Sequence, residues 1–225
     1  MKAAIIIAIL FCAGLIGFGI YEAVKPAPVD NGPRTVPITQ SYADRQKNGY
    51  WVEGSATPKV TVVEYSDFQC PYCGVLSAPL QTAISQSSDY VQLQYHSFPL
   101  TNIHNKTVIA SHAAEAAGRQ DKFWPMHDKL FGNQTAWADQ TPSAFMDTVN
   151  QYAGDLGLDV NQFKRDMNDP SLQTPIDADV ALGSKVPVTG TPTLVVNGTV
   201  VKTAPVTVDG LLMLFQNARD GKLLQ

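Results

Sequence analysis

Cysteine is scarce in this chain. Of three cysteines in 225 residues, Cys12 lies in an apolar N-terminal segment, and only Cys70 and Cys73 lie outside it. A single pair excludes a framework of several structural disulfides. The histidines are His96, His104, His112 and His127. No two of them are closely spaced and there is no second cysteine pair, so the further ligands of a structural zinc site are missing.

Basic residues are also few. The chain has 16 Lys and Arg against 20 Asp and Glu, which gives a formal net charge of −4. Without a basic stripe, the protein is not expected to bind nucleic acid. The sequence has no internal repeat and no low-complexity segment. Its hydrophobic content of 44% is enough for one sizeable core with an inserted subdomain.

The two remaining cysteines form a Cys-Pro-Tyr-Cys motif at residues 70–73, where a strand pattern changes to a helix pattern. Residues 60–65 are rich in β-branched side chains, and residues 71–85 place apolar side chains on one helical stripe. Cys70 would then lie at a helix N-terminus, where unpaired N–H groups and the helix dipole favour a thiolate. The pattern predicts a redox-active dithiol, with Cys70 as the exposed, reactive sulfur and Cys73 as the enclosed, resolving sulfur.

Two other interpretations of the motif stay open, namely half of a zinc site and a structural disulfide in a tight turn. Zinc would need ligands that the sequence does not supply at short spacing. The strand-to-helix context is typical of a thiol pair that opens and closes. Pro71 agrees with that context, because its missing N–H is no loss in the first turn of a helix.

The N-terminus carries an apolar run over residues 3–21, preceded by Lys2. At about 1.5 Å per helical residue, this run spans roughly one hydrocarbon core. We predict an uncleaved transmembrane anchor over residues 1–24, with Lys2 in the cytoplasm and the rest of the chain outside. A cleaved signal peptide is the alternative, although Tyr21-Glu22-Ala23 is a poor cleavage site.

Residues 25–54 contain several prolines among polar residues and show no sustained periodicity. This composition predicts a tether between the anchor and the domain. Because the chain after the anchor is predicted to lie outside the cytoplasm, the Cys-Pro-Tyr-Cys motif would lie in an oxidising compartment such as the periplasm or the cell wall.

The rest of the chain alternates between strand and helix patterns. We predict a strand over 91–98, helices between 103 and 183, strands over 193–196 and 199–202, and a helix over 208–218. Asn197-Gly198 stands between two β-branched runs, which is a strong signal for a tight hairpin. These patterns predict an α/β protein.

Four sequence segments point to one family. They are Glu-Tyr-Ser-Asp-Phe-Gln-Cys-Pro-Tyr-Cys at 64–73, Ser-Phe-Pro-Leu at 97–100, Lys-Phe-Trp-Pro-Met-His-Asp-Lys-Leu-Phe at 122–131 and Gly-Thr-Pro-Thr at 190–193. Together with the order of the elements, they make residues 55 to 220 resemble DsbA-like thiol:disulfide oxidoreductases. The resemblance implies a thioredoxin fold with an inserted helical subdomain. Its first half would be residues 55–100, the insertion 101–184 and its second half 185–225.

The resemblance also implies roles for individual residues. Cys70 would be the attacked sulfur, Cys73 its buried partner and Glu64 a buried acid beneath the site. Pro192 would be a cis-proline facing the cysteines, with the backbone of Thr191 free to pair with a substrate strand.

A carboxylate on a strand buried on both faces would have a raised pKa, so Glu64 could exchange a proton with Cys73. The alternative is a glutamate at the strand end that reaches solvent. Pro71 and Tyr72 would contact the substrate beside Cys70. Tyr72 stands where the best-studied DsbA enzymes carry a histidine.

The function that the resemblance implies is an oxidase. It would donate the Cys70–Cys73 disulfide to unfolded or folding secreted proteins that carry free thiols. A membrane reoxidant of the DsbB or vitamin-K-epoxide-reductase type would restore the disulfide, and the protein would work as a monomer without a cofactor or metal. The alternatives are a reductase or isomerase of the same fold and, from another class, a thiol-based metal carrier.

Overall fold

The computed structural model describes residues 41–222. Its strands are β1 (Trp51–Gly54), β2 (Val60–Ser66), β3 (Val91–Ser97), β4 (Thr193–Val196) and β5 (Thr199–Val200). Its helices are α1 (Tyr42–Asn48), α2 (Pro71–Gln86), α3 (Thr107–Gly118), α4 (Phe123–Gly132), α5 (Gln134–Trp137), α6 (Pro142–Asp155), α7 (Val160–Met167), α8 (Gln173–Gly183) and α9 (Val208–Arg219), and a 3₁₀ turn over Pro170–Leu172 precedes α8.

The predicted anchor, residues 1–24, lies outside the described residues, as does the first part of the predicted tether. Of the helices within residues 41–222, none combines the length and the apolar character needed to cross a membrane.

The strands form one mixed sheet of five strands in the order β1-β3-β2-β4-β5. β2 and β3 pair in parallel, and the other pairs are antiparallel. The parallel register sets Glu64 beside Tyr95. Both strands are buried at every position over their last three residues, so the chain leaves β2 for the cysteine motif from inside the core. The α/β class predicted from the sequence is confirmed.

Helix α2 carries the motif and is held by its apolar stripe. The helix begins at Pro71, as predicted, and ends at Gln86. Leu76, Leu80 and Ile84 are fully buried, and full burial of each such side chain contributes about 1.5–3 kcal/mol. The buried stripe faces the sheet and fixes the start of α2 at the carboxyl end of β2.

Helices α3 to α8 lie between β3 and β4, within the range predicted for the insertion. They share a core with the sheet through an aromatic cluster in which neighbouring ring centroids lie 4.8–6.2 Å apart. Its members are Phe68, Tyr95, Phe123, Trp124, His127 and Phe131. Phe68 lies just before the motif, so the helical block is packed directly against the active-site segment.

The last part of the predicted tether is folded into the domain. Residues 42–48 form α1, which begins with a capping box between Ser41 and Asp44. Arg45 of α1 is buried, and its guanidinium lies 3.0 Å from Glu115 and 3.3 Å from Asp179. Residues 51–54 form the edge strand β1, paired with β3. Residues 42–54 therefore belong to the globular part, because a buried ion-pair network and sheet pairing hold them.

The β4–β5 hairpin turns at Asn197 and Gly198, whose φ angles are 48° and 80°. Two consecutive positive φ angles are what a two-residue type I′ turn requires, so the predicted hairpin is confirmed. Strand β5 ends at Val200, two residues before the predicted end at position 202. The other predicted strands and the final helix agree with the structure to within about one residue at each end.

Candidate active site

Cys70 occupies the position immediately before helix α2. Its backbone is extended, and it acts as the N-terminal cap residue of the helix. Its N–H donates to the carbonyl of Asp67 at 3.0 Å, and its carbonyl accepts from the N–H of Gly74 at 3.1 Å. Cys70 and Cys73 are both free thiols, so this is the reduced state of the dithiol.

The two sulfurs differ in exposure less than expected. Cys73 is fully buried, as predicted, but Cys70 is only 5% exposed. The prediction of an exposed Cys70 was therefore wrong in degree. The reason is the loop before β4, since Sγ of Cys70 lies 3.2 Å from the carbonyl oxygen of Thr191 and donates to it.

The surroundings of Cys70 favour its thiolate. A hydrogen bond from the Cys73 thiol is the largest cause that lowers the pKa of Cys70 to about 5. Burial opposes this shift, and the nearby Thr191 side chain and the backbone N–H groups of Tyr72 and Cys73 assist it. These N–H groups belong to the first turn of α2, where they have no partner within the helix. The lowered pKa of Cys70 agrees in direction with the thiolate stabilisation expected at the helix start.

Cys73 has the opposite preference. Burial raises the pKa of Cys73 well above that of an ordinary thiol, and the neighbouring Cys70 sulfur raises it further. At neutral pH the reduced pair therefore holds a thiolate on Cys70 and a proton on Cys73. This division of charge is the one that an attacked sulfur and a resolving sulfur need.

The peptide bond between Thr191 and Pro192 is cis, as the resemblance implied. Both residues are partly exposed, and their loop faces Cys70 through the contact of its sulfur with the Thr191 carbonyl. Pro71 and Tyr72 directly follow Cys70 in the chain, and both are exposed, Tyr72 at 75%. The four residues predicted to contact substrate are therefore all at least partly exposed, and Thr191 contacts the Cys70 sulfur.

Glu64 lies inside the protein, not at the surface. Its residue exposure is 1%, so the alternative of a solvent-exposed glutamate at the strand end is wrong. Burial raises the pKa of Glu64 to about 7, against a smaller opposing hydrogen bond from Ser66. Glu64 and Cys73 both raise the pKa of the buried hydroxyl of Tyr95, after the larger effect of burial. Both groups therefore lie within electrostatic range of the same side chain.

Sequence reasoning missed Asp67, which organises the turn between β2 and the motif. The Asp67 carboxylate is buried and accepts four hydrogen bonds. The donors are the N–H of Gln69 at 2.7 Å, the N–H of Leu100 at 2.9 Å, the ring of His104 at 2.7 Å and the hydroxyl of Thr107 at 2.5 Å. An Asp side chain often accepts a hydrogen bond from the backbone N–H two residues later, and this favours a turn. Asp67 could therefore have been identified from the sequence as a turn residue.

Gln134 was also missed. It opens helix α5 and is buried, and its side-chain amide donates to the carbonyls of Phe68 and Cys70 at 2.7 Å and 2.9 Å. Nothing in the local sequence distinguishes this glutamine from one at the surface.

The histidines have separate environments. His127 is a member of the aromatic cluster, whereas His96 contacts Asp179 and His104 contacts Asp67. His112 contacts Gln173. Within residues 41–222, no group of three or more His, Cys, Asp and Glu side chains is arranged to hold a metal ion.

Comparisons of the sequence and of the structure with known proteins point to the same family. A sequence profile described as thioredoxin matches residues 46–217. A thioredoxin-like oxidoreductase from Silicibacter pomeroyi superposes with a TM-score of 0.63 at 30% identity, covering 76% of this chain and 93% of that one. DsbA2 from Pseudomonas aeruginosa superposes with a TM-score of 0.61 at 23% identity, covering 77% and 96%.

Curated relatives include the Na(+)/H(+) antiporter NhaA 1 of Salinispora arenicola, 37% identical over 149 residues, which are 65% of this chain and 21% of the antiporter. The chain spans about a fifth of the length of such relatives, so their transport activity is not attributed to it. At the level of the family, the prediction of a thiol:disulfide oxidoreductase is confirmed. With the dithiol at a helix start and the cis-proline loop facing it, this chain belongs to the thioredoxin family and has the fold of its DsbA-like members.

Proposed function

We propose that this protein is an extracytoplasmic oxidase that donates the Cys70–Cys73 disulfide to folding proteins. The observation that carries the proposal is the placement of Cys70 as the cap residue of α2 beside the fully buried Cys73, an environment that lowers the pKa of Cys70 to about 5. A stabilised thiolate stabilises the reduced form of the pair, and a disulfide whose reduced form is stable is a strong oxidant. The same asymmetry makes Cys70 the better leaving sulfur.

The reaction has two exchange steps. A substrate thiolate attacks Sγ of Cys70, so that a mixed disulfide forms and the Cys70–Cys73 bond breaks, and Cys73 leaves as a thiolate and takes up a proton. A second substrate thiolate then attacks the substrate sulfur, and Cys70 leaves as a thiolate. Two substrate thiols become one disulfide, and the enzyme pair gains two electrons. Each substrate thiol loses its proton to solvent when it becomes a thiolate, and Cys73 takes its proton from a neighbouring acid.

Glu64 is the proposed source of the proton for Cys73. A group transfers protons efficiently when its pKa lies near the working pH, and burial raises the pKa of Glu64 to about 7. At neutral pH a substantial fraction of Glu64 is therefore protonated when Cys73 leaves. The proton returns to the carboxylate when Cys73 is deprotonated during reoxidation.

Substrate proteins are proposed to bind along the loop of Thr191 and Pro192. The loop precedes β4 and its residues are partly exposed, so an extended substrate segment could pair with its backbone as an added strand. Pro71 and Tyr72, which follow Cys70 in the chain, offer further exposed surface. A substrate cysteine placed between the two surfaces would meet Sγ of Cys70.

The proposed setting is the outer side of the cytoplasmic membrane. The apolar run over residues 3–21 would anchor the chain, and residues 25–40 would link the anchor to the domain. A membrane reoxidant of the DsbB or vitamin-K-epoxide-reductase type would take the two electrons from the reduced pair. The anchored protein would act as a monomer, close to that partner.

The redox equilibrium of the pair with glutathione tests the proposed direction. The chain without the predicted anchor and the first part of the tether, residues 41–225, is equilibrated over a range of glutathione ratios, and the oxidised fraction is measured. We expect a potential between about −180 and −120 mV, the values typical of protein disulfide isomerase and DsbA. A potential near the thioredoxin value of about −270 mV would make the oxidase assignment wrong and favour a reductase of the same fold. Stoichiometric metal binding without any thiol exchange would favour the metal carrier.

A further inference from the structure

Gln134 contacts the active-site segment from the helical block. It is the first residue of α5 and is 8% exposed. Its side-chain nitrogen donates to the carbonyl of Phe68 at 2.7 Å and to the carbonyl of Cys70 at 2.9 Å. A primary amide has two N–H donors, so both are used on the backbone that flanks the attacked sulfur.

Gly74 provides the space for this contact. A Cβ atom built at position 74 would lie 2.5 Å from the side-chain oxygen of Gln134 and 3.0 Å from its amide carbon. Any side chain at position 74 would push the amide away from the two carbonyls. The N–H of Gly74 itself donates to the Cys70 carbonyl at 3.1 Å, so Gly74 and Gln134 share that oxygen.

The position of Gln134 is fixed by its own surroundings. Trp137, at the other end of α5, is fully buried and donates to the carbonyl of Leu130 at 2.8 Å. The Trp137 ring stacks on Phe145 of α6 with a centroid distance of 4.4 Å. The side chain of Asn133, just before Gln134, donates to the carbonyl of Lys129. The amide therefore reaches the active-site segment from a rigidly packed part of the helical block.

We propose that Gln134 is a positioning residue for the redox pair. By holding the carbonyls of Phe68 and Cys70, it fixes the peptide that joins Cys70 to α2, and with it the direction in which the Cys70 sulfur points. The first turn of α2 then keeps its place beside that sulfur. The inference rests on the proposed redox function of the pair, and it makes the helical block a determinant of the oxidising power of the disulfide.

The central test is Gln134→Glu, which keeps the shape of the side chain but replaces the two N–H donors with a carboxylate facing two carbonyl oxygens. Gln151→Glu is the matched control, since Gln151 is exposed on α6 and the change in charge is the same. In the reduced protein the pH midpoint of the Cys70 thiolate is followed by its ultraviolet absorbance. The equilibrium constant of the pair with glutathione is measured in parallel.

We expect the thiolate midpoint of Gln134→Glu to rise by about one pH unit, and its disulfide to become about tenfold less oxidising. Gln151→Glu should match the wild type in both measurements. Loss of thermal stability with an unchanged midpoint and equilibrium constant would overturn the proposal, because that is the result of a purely structural role.

Gly74→Ala provides a second route to the same contact, and it keeps the test decisive if Gln134→Glu folds poorly. It should shift the midpoint in the same direction, and combining it with Gln134→Glu should add little. Fully additive shifts would contradict a shared mechanism. Each effect is a difference from the wild type, so a thioredoxin-like potential in the wild type would refute the oxidase function and still leave the role of Gln134 measurable.

Discussion

The sulfur of Cys70 lies 3.2 Å from the carbonyl oxygen of Thr191. This contact joins the start of helix α2 to the loop that precedes β4, although the two residues are 121 positions apart in the chain. The contact explains why Cys70 is buried although the next two residues in the chain, Pro71 and Tyr72, are exposed. The loop of Thr191 and Pro192 therefore covers the sulfur of Cys70 on the side of this contact.

The first prediction concerns which cysteine is attacked by substrate and which one resolves the mixed disulfide. Cys73→Ser should accumulate mixed disulfides between Cys70 and substrate proteins, because no resolving thiol remains to displace them. Cys70→Ser should form few or none, since Cys73 is fully buried. The adducts are counted on non-reducing gels after acid quenching and identified by mass spectrometry. Equal trapping by both variants would contradict the assigned roles.

The second prediction is the pH dependence of Cys70 in the reduced protein. Its rate of alkylation should rise with pH and reach half its maximum near pH 5, since hydrogen bonds lower the pKa of Cys70 to about 5. In Cys73→Ala the midpoint should move upward, because the Cys73 thiol is the largest cause of the lowered pKa. A wild-type midpoint near 9, as for an ordinary thiol, would show that the thiolate is not stabilised.

The third prediction concerns Glu64 and stability. Burial raises the pKa of Glu64 from 4.5 to about 7, so the native state binds its proton more tightly than the unfolded state does. The associated stability is complete below about pH 4.5 and is lost as pH rises through 7. A shift of this size corresponds to about 3 kcal/mol. Glu64→Gln should therefore gain stability over the wild type progressively between pH 4.5 and 8.

Urea unfolding of the disulfide form measures this difference without titration of the cysteines. The exposed Asp139 supplies the control Asp139→Asn, which should leave the pH dependence unchanged. A constant difference between Glu64→Gln and wild type over the whole range would mean that Glu64 does not titrate there.

Sequence patterns predicted the strands, helices and turns that are specified by residues close together in the chain. The β-branched run of β2 and the apolar stripe of α2 specify a strand and a helix by their periodicity alone. Asn197 and Gly198 specify the hairpin because few other residues adopt positive φ angles at low cost. Cys70 and Cys73 were found because a closely spaced cysteine pair has few roles in a chain with so few cysteines.

Residues that act through distant partners were not predicted. Arg45 lies in a polar, proline-flanked stretch typical of a tether, and its partners Glu115 and Asp179 are 70 and 134 positions away. Gln134 contacts carbonyls 66 and 64 positions earlier in the chain. The burial of Cys70 depends on a loop from the second half of the fold. Only the folded chain brings these groups together.

The last prediction tests whether the buried ion pairs of Arg45 hold α1 against the rest of the domain. Arg45 is 3% exposed and its guanidinium contacts both Glu115 and Asp179, while Glu115 also accepts from the ring N–H of Trp51 at 3.0 Å. Removing one partner of a buried ion pair leaves uncompensated charge and costs about 3–5 kcal/mol. Arg45→Met should therefore lower the free energy of unfolding by about that amount.

The matched control is Arg219→Met, because Arg219 is 42% exposed and pairs with Asp220 at the surface. Exposed pairs contribute roughly 0–1 kcal/mol, so the same substitution there should have little effect in urea unfolding. Arg45→Lys should lose less than Arg45→Met, since it keeps the charge but lacks the guanidinium fork that reaches two carboxylates. If Arg45→Met matches Arg219→Met, the ion-pair network does not stabilise the domain, and residues 42–54 are held by the pairing of β1 and by contacts such as the stacking of Trp51 on Phe123.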